Sequence, residues 1–161
     1  MELQNLYNSH GQFIDGSWCP GSESASDMIN PATEICLGEM KPAGAAQVTE
    51  AIAAAYAARA SMRALTAWSR SALLRRAATL IHERAETLGL LVALETGKPV
   101  RQAVGEAKAS AESVDWFADE ARRVFGMSYE SRVKGDRYLV QMEPPAAAPA
   151  INQIHAWQIR L

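Results

Sequence analysis

Between Gly44 and Gly126 the apolar residues return at steps of three and four in three alanine-rich runs, and this period constrains the chain more than any other feature. Val48, Ile52, Ala55, Tyr56 and Ala60 form a first stripe. A second helix is expected from about Ser69, with Leu74, Ala77, Ile81, Ala85 and Leu88 on one face, and Gly89 is read as its divide from a last stretch ending at Glu95-Thr96-Gly97. The third helix is bounded by Pro99, which suits a first helical turn, and by Gly126 as a left-handed stop. Val100, Ala103, Val104, Ala107, Ala111, Val114, Ala118, Ala121 and Phe125 keep its period, and at about 1.5 Å per residue it would be close to 40 Å long. Alanine dominates these runs because it loses no side-chain entropy in a helix.

The flanks read differently. Phe13-Ile14-Asp15-Gly16-Ser17-Trp18 places an Asp-Gly turn between apolar residues, a hairpin signal. Gly21 to Asp27 is loop-like, Asn30-Pro31-Ala32-Thr33 is a turn, and Ile35-Cys36-Leu37-Gly38 is a return strand. Met127 to Asp136 reads as a polar connector leading to a single short strand, Tyr138 to Met142, ended by Pro144 and Pro145. That strand has no evident partner, so it is expected to pair with a sheet outside this sequence or in another subunit. The expected architecture is helix-dominated α+β, with a small N-terminal β hairpin and one C-terminal strand.

Composition narrows the classes. The chain has 161 residues, and 48% apolar content with 10 glycines and 7 prolines excludes collagen-like and wholly disordered chains. A chain of this length buries roughly two-thirds of its unfolded surface and needs neither disulfide nor metal to fold. Sixteen basic against eighteen acidic residues leave a net charge of −2, a poor basis for holding phosphates, so no nucleic-acid partner is expected. The start Met1-Glu2-Leu3-Gln4-Asn5-Leu6 carries no readable secretory signal, no apolar run has membrane-spanning length, and a cytoplasmic location is expected. Cys19 and Cys36, without a CxxC pattern, are compatible with a disulfide; two buried or half-buried thiols fit a reducing compartment better.

No complete active site is legible. His82-Glu83 matches half of HExxH, but Glu86 stands where the second histidine belongs, and His82 reads as a solvated helix residue. Neither GxGxxG nor GxxxxGK[ST] occurs. His10 and His155 lie in irregular termini, and no nucleophile–base spacing is found. Arg75-Arg76 and Arg122-Arg123, among Glu83, Glu86, Asp119 and Glu120, read as solvated helix faces with intrahelical pairs, and Trp68, Trp116 and Phe117 as helix-packing anchors.

One ordered set of strings is more telling. Asn30-Pro31-Ala32-Thr33, Ala67-Trp68-Ser69, Leu74-Arg75-Arg76-Ala77-Ala78, Leu94-Glu95-Thr96-Gly97-Lys98-Pro99, Val114-Asp115-Trp116-Phe117-Ala118 and Arg137-Tyr138-Leu139-Val140 follow one another as in the NAD(P)-dependent aldehyde dehydrogenases. Glu-Thr-Gly-Lys-Pro is the most specific of them, and the resemblance runs from about residue 7 to Pro144. The wording is closest to the succinate-semialdehyde dehydrogenase branch. The resemblance implies an α/β family fold in which this chain is a single partial domain, 1–161: the N-terminal part of a cofactor domain, with 137–143 as an oligomerisation strand and 145–161 as a divergent tail.

What the resemblance implies about chemistry is oxidation of an aldehyde, succinate semialdehyde among the candidates, to a carboxylate with NAD or NADP. A cysteine thiolate attacks, a glutamate activates water, and an Asn amide with a backbone N–H holds the oxyanion. No position here matches the nucleophile, the general base or the cofactor turn, so no catalytic and no cofactor-binding residue is assigned, and no cofactor is expected on this chain alone. After Pro144 the family continues to Pro-Trp-Asn-Phe-Pro; here either Ala156-Trp157-Gln158 takes the place of its Trp-Asn pair or Ile151-Asn152-Gln153-Ile154 lies just beyond a deleted motif. A truncated, frame-disrupted or partial gene product is the expectation, inactive alone and homo-oligomeric in its family. A non-enzymatic helical association module and a non-functional gene remnant are the alternatives. The resemblance also offers a monovalent-cation site formed by the Glu106 carboxylate and the Ile29 carbonyl.

Overall fold

The computed structural model describes residues 11–142. The Asp-Gly turn does what its chemistry dictates: Asp15 and Gly16 have φ of 48° and 77°, the pair of left-handed residues that matches strand twist in a two-residue hairpin. It joins β1 (Gln12–Ile14) to β2 (Ser17–Cys19), with Phe13 opposite Trp18 and their rings 5.1 Å apart. A second antiparallel pair, β3 (Ser26–Ile29) and β4 (Cys36–Met40), closes over the Asn-Pro turn. Cys19 is half-buried and Cys36 exposed, and both are free thiols.

Helix α1 (Ala45–Ala64) starts at Gly44, where Gln47 straps the preceding loop: its Oε1 accepts from the Ser22 and Gly44 amides, and its Nε2 donates to the Pro20 carbonyl at 2.8 Å. Thr66 caps α2 (Ala67–Glu83), its Oγ1 accepting from the Ser69 amide at 3.1 Å. The chain then breaks at Arg84, not at Gly89, and α3 (Ala85–Thr96) runs straight through Gly89. The reason is long-range. A Cβ on Gly89 would lie 2.6 Å from the Val104 backbone, so the glycine permits two helices to touch rather than ending one. The change of direction at Arg84 lets α2 and α3 both lie along α4 (Val100–Glu120).

Helix α4 begins after Pro99 as expected but ends earlier than Gly126. Arg122 and Arg123 bond back to the Asp119 and Glu120 carbonyls, a tightened last turn, which leaves α4 at 21 residues, about 32 Å long. Gly126 does not have positive φ; it precedes a strand, and a Cβ there would meet the Val140 carbonyl at 2.4 Å. The polar connector thus contains β5 (Met127–Glu130), which pairs antiparallel with β6 (Arg137–Val140), Tyr129 opposite Tyr138. The C-terminal element is a hairpin rather than a lone strand, and the partner strand of Leu139 lies in this chain.

The three two-stranded sheets remain separate. Burial is confined mostly to the α2–α3–α4 bundle, where Ala85, Leu88 and Ala107 pack with Ile81, and Val92, Ala93 and Ala103 with Leu91. Small residues let these axes approach closely, and Ala103, Ala107, Ala111 and Ala118 are essentially sealed. The aromatic anchors expected at Trp68, Trp116 and Phe117 are instead exposed: the period that turns Ala107, Ala111 and Ala118 inward carries Trp116 and Phe117 away. Phe125, beyond the helix end, is exposed too. No described helix is long and apolar enough to cross a membrane. His10, His155 and both readings of the segment after Pro144 lie outside the described residues.

Candidate functional site

Two of the sequence strings meet in space. Asn30 is buried, and its Oδ1 accepts from the Ala32 amide at 2.9 Å while its carbonyl accepts from the Thr33 and Glu34 amides, fixing the Asn-Pro turn. Gly97 ends α3 in the left-handed region at φ 72°, its amide bonded to the Ala93 carbonyl. A Cβ on Gly97 would stand 3.1 Å from Pro31 Cγ and 3.6 Å from the Ala32 amide, so the Gly-Lys-Pro turn seats against the Asn-Pro-Ala-Thr turn. Pro99 then starts α4, its carbonyl accepting from the Gln102 and Ala103 amides.

The expected cation ligands border this junction. Ile29 is the last residue of β3, beside a bulge, and precedes Asn30. Glu106 lies on the second turn of α4, and its Oε2 is 2.6 Å from Lys98 Nζ. The carboxylate that the resemblance offers to a cation is thus already paired with an ammonium, and among the described residues no cluster of three or more His, Cys, Asp and Glu could hold a metal ion. The Lys98 partnership had no signal in the spacing, because Lys98 precedes the helix and folds back onto it.

A second charged assembly ties α2 to the end of α4. Arg75 bonds Asp115 at 2.9 Å and Asp119 at 2.5 Å, Arg122 also bonds Asp119, and the Arg122 guanidinium lies 4.9 Å from the Trp68 ring centre. The Arg122 hydrogen bond is the largest influence on the Asp119 carboxyl; desolvation opposes it, and the nearby charge and hydrogen bond of Arg75 then help hold the carboxyl below the ordinary aspartate range. The arginine pairs are therefore only partly local: Arg123 bonds Glu120 three residues back, at the end of α4, whereas Arg75 crosses between helices.

Beside this assembly an open groove of about 340 Å3 is lined by Ala78, Thr79, His82, Glu83, Ala111, Glu112 and Asp115. Its carboxylates would repel a pyrophosphate. A second groove, with Arg101 and Lys108, commits Lys108 to Glu86 at 3.1 Å. Neither of these two grooves fits a dinucleotide, and neither supports a chemical step through one. Among the described residues neither thiol has a base beside it: Cys19 Sγ faces the Gln12 carbonyl and the Gln47 amide, and Cys36 Sγ the Gly38 carbonyl.

The arrangement is an architectural unit, helices gathered on α4 with two turns locked together. The sequence model of the Aldehyde dehydrogenase family matches residues 18–158, and the chain belongs to that family. It is 36% identical over 141 residues to the glutarate-semialdehyde dehydrogenase of Pseudomonas putida, covering 87% of this chain and 29% of that protein. It is 34% identical over 149 residues to the NADP(+) succinate-semialdehyde dehydrogenase of Escherichia coli, covering 92% of this chain and 31% of that protein. Among solved structures, the succinate-semialdehyde dehydrogenase of Burkholderia pseudomallei superposes with a TM-score of 0.78 at 34% identity, over 84% of this chain and 28% of that one. The chain spans less than a third of the length of these relatives.

Proposed function

We propose that this chain forms the outer helical wall of an NAD(P)-dependent aldehyde dehydrogenase that oxidises a short semialdehyde bearing a distal carboxylate, succinate semialdehyde first among the candidates. The observation that carries this reading is the continuous family match over residues 18–158. The substrate names of the Pseudomonas and Escherichia relatives support the semialdehyde, and the NADP(+) in the latter's name supports a nicotinamide cofactor, which would accept the hydride of the aldehyde. The wall itself does no chemistry. Among the described residues neither thiol has a proton acceptor beside it, and on this reading the 161 residues alone give no turnover; association through 137–143, the span that contains β6, belongs to the same reading.

Two assays test it. The purified chain, with NAD or NADP and succinate or glutarate semialdehyde, should give no rise in reduced-cofactor absorbance. Grafted in place of the matching 149-residue segment of the Escherichia relative, it should restore that enzyme's semialdehyde oxidation. Turnover by the chain alone overturns its passive role. A chimera that folds but is inert overturns the dehydrogenase reading and favours the association module.

A further inference from the structure

The Lys98–Glu106 pair is built on a more rigid base than an ordinary surface ion pair. On one side of Lys98, Gly97 holds φ 72° where a Cβ would stand 3.1 Å from Pro31 Cγ; on the other, Pro99 fixes the backbone as the first residue before α4. The lysine stem therefore leaves a backbone that has little freedom to swing. Its Nζ reaches Glu106 Oε2 at 2.6 Å, with the lysine side chain only about one-third exposed (32%). One carboxylate and one ammonium cancel, and among the described residues no cluster of three or more metal-ligating side chains lies nearby to attract a further cation. A metal ion arriving at Glu106 would meet like charge at contact distance.

We propose that the Lys98 ammonium is the resident cation of Glu106, occupying the position that the family resemblance gives to a monovalent metal ion, so that the junction of the Asn-Pro turn with α4 is neutralised without Na+ or K+. Lys98 is a positioning residue here. It completes the junction that Gly97 and Pro31 form by contact, and its charge makes the folded state indifferent to the identity of the salt. The inference uses family membership only to name the position, and it stands or falls independently of the proposed activity.

The test is thermal unfolding of the full chain in sodium, potassium and tetramethylammonium chloride at one ionic strength. The unaltered chain should melt at the same temperature in all three. Lys98→Gln should melt lower in tetramethylammonium, and Na+ or K+ should recover about 2–4 °C by binding the freed carboxylate. Lys98→Arg should remain indifferent to the salt. A sodium- or potassium-dependent midpoint in the unaltered chain overturns the proposal, because a metal ion would then hold Glu106 already. A Lys98→Gln midpoint that is equal in the three salts also overturns it, leaving a plain surface pair. Should Lys98→Gln not fold, the sodium-23 linewidth of the unaltered chain decides: no broadening displaceable by K+ supports the resident ammonium, and displaceable broadening overturns it.

Discussion

Helices α1 and α4 are nearly equal in length and α1 has twice the alanines, ten against five, yet α4 has five buried residues and α1 has none. Helix propensity explains why both form and says nothing about which is covered. On α4 the alanines at 103, 107, 111 and 118 face α2 and α3, and close approach is what buries them. On α1 the same period presents Val48, Ile52 and Tyr56 to solvent, with β1 as its main neighbour and Arg59 lying 5.2 Å over the Tyr56 ring. A stripe becomes a core only when a second surface is shaped to meet it. In this molecule that surface depends on Gly89.

The largest expected effect follows from that glycine. Gly89→Ala improves helix propensity by about 1 kcal/mol, yet it places a methyl 2.4 Å from Val104 Cγ2 and 2.6 Å from the Val104 backbone. Backbone cannot rotate aside, so α3 and α4 must part, and a net loss of about 1–3 kcal/mol is expected from overpacking. Chemical denaturation measures it. A neutral or stabilised variant would mean that the helices are not in contact in solution, and the contrast with α1 would disappear.

The rim of the bundle is held by charge, which gives a smaller and pH-dependent effect. Asp119 is held below the ordinary aspartate range first by the Arg122 hydrogen bond and then by Arg75. A carboxyl whose folded value is lowered binds fewer protons folded than unfolded between the two values. Its contribution is therefore complete above the ordinary aspartate range and is lost as pH falls through the lowered folded value. Carboxyl NMR titration should place Asp119 below the ordinary aspartate range, and Arg122→Gln should move it upward and flatten the acid limb of stability. An unchanged titration in Arg122→Gln would show that the bond to Arg122 is not kept in solution.

What was legible in the sequence divides along the same line. The Asp15-Gly16 hairpin, the start of α1 after Gly44 and the start of α4 after Pro99 were readable because each is decided by residues a few positions apart. Gly89 and Gly126 were misread as helix punctuation because their reasons lie at Val104 and Val140, far along the chain. Strand β5 was hidden by its fully exposed, polar wording, and Trp68 and Trp116 were assigned to a core by size when the helical period turns them out. Around the candidate site, both halves of the Asn-Pro and Gly-Lys-Pro junction were quoted as strings, but their contact is a tertiary fact. The Lys98–Glu106 pair spans eight residues across a helix start, a distance that no intrahelical rule covers.

The smallest expected stability effect is the sharpest check on α1. Ile52 is 47% exposed, so Ile52→Glu removes little buried surface and should change unfolding free energy by about 0.5 kcal/mol or less. It should nevertheless lower hydrophobic-dye binding and self-association measured by light scattering, because Val48, Ile52 and Tyr56 form one apolar stripe on a helix with no buried residue. The two readouts separate the explanations. If stability falls as far as in Gly89→Ala, α1 is packed on something in solution, and its difference from α4 is one of partner rather than of coverage. If stability holds and association drops, the stripe is a surface whose cover is not supplied by the described residues, and alanine content is confirmed as a guide to helix formation but not to burial.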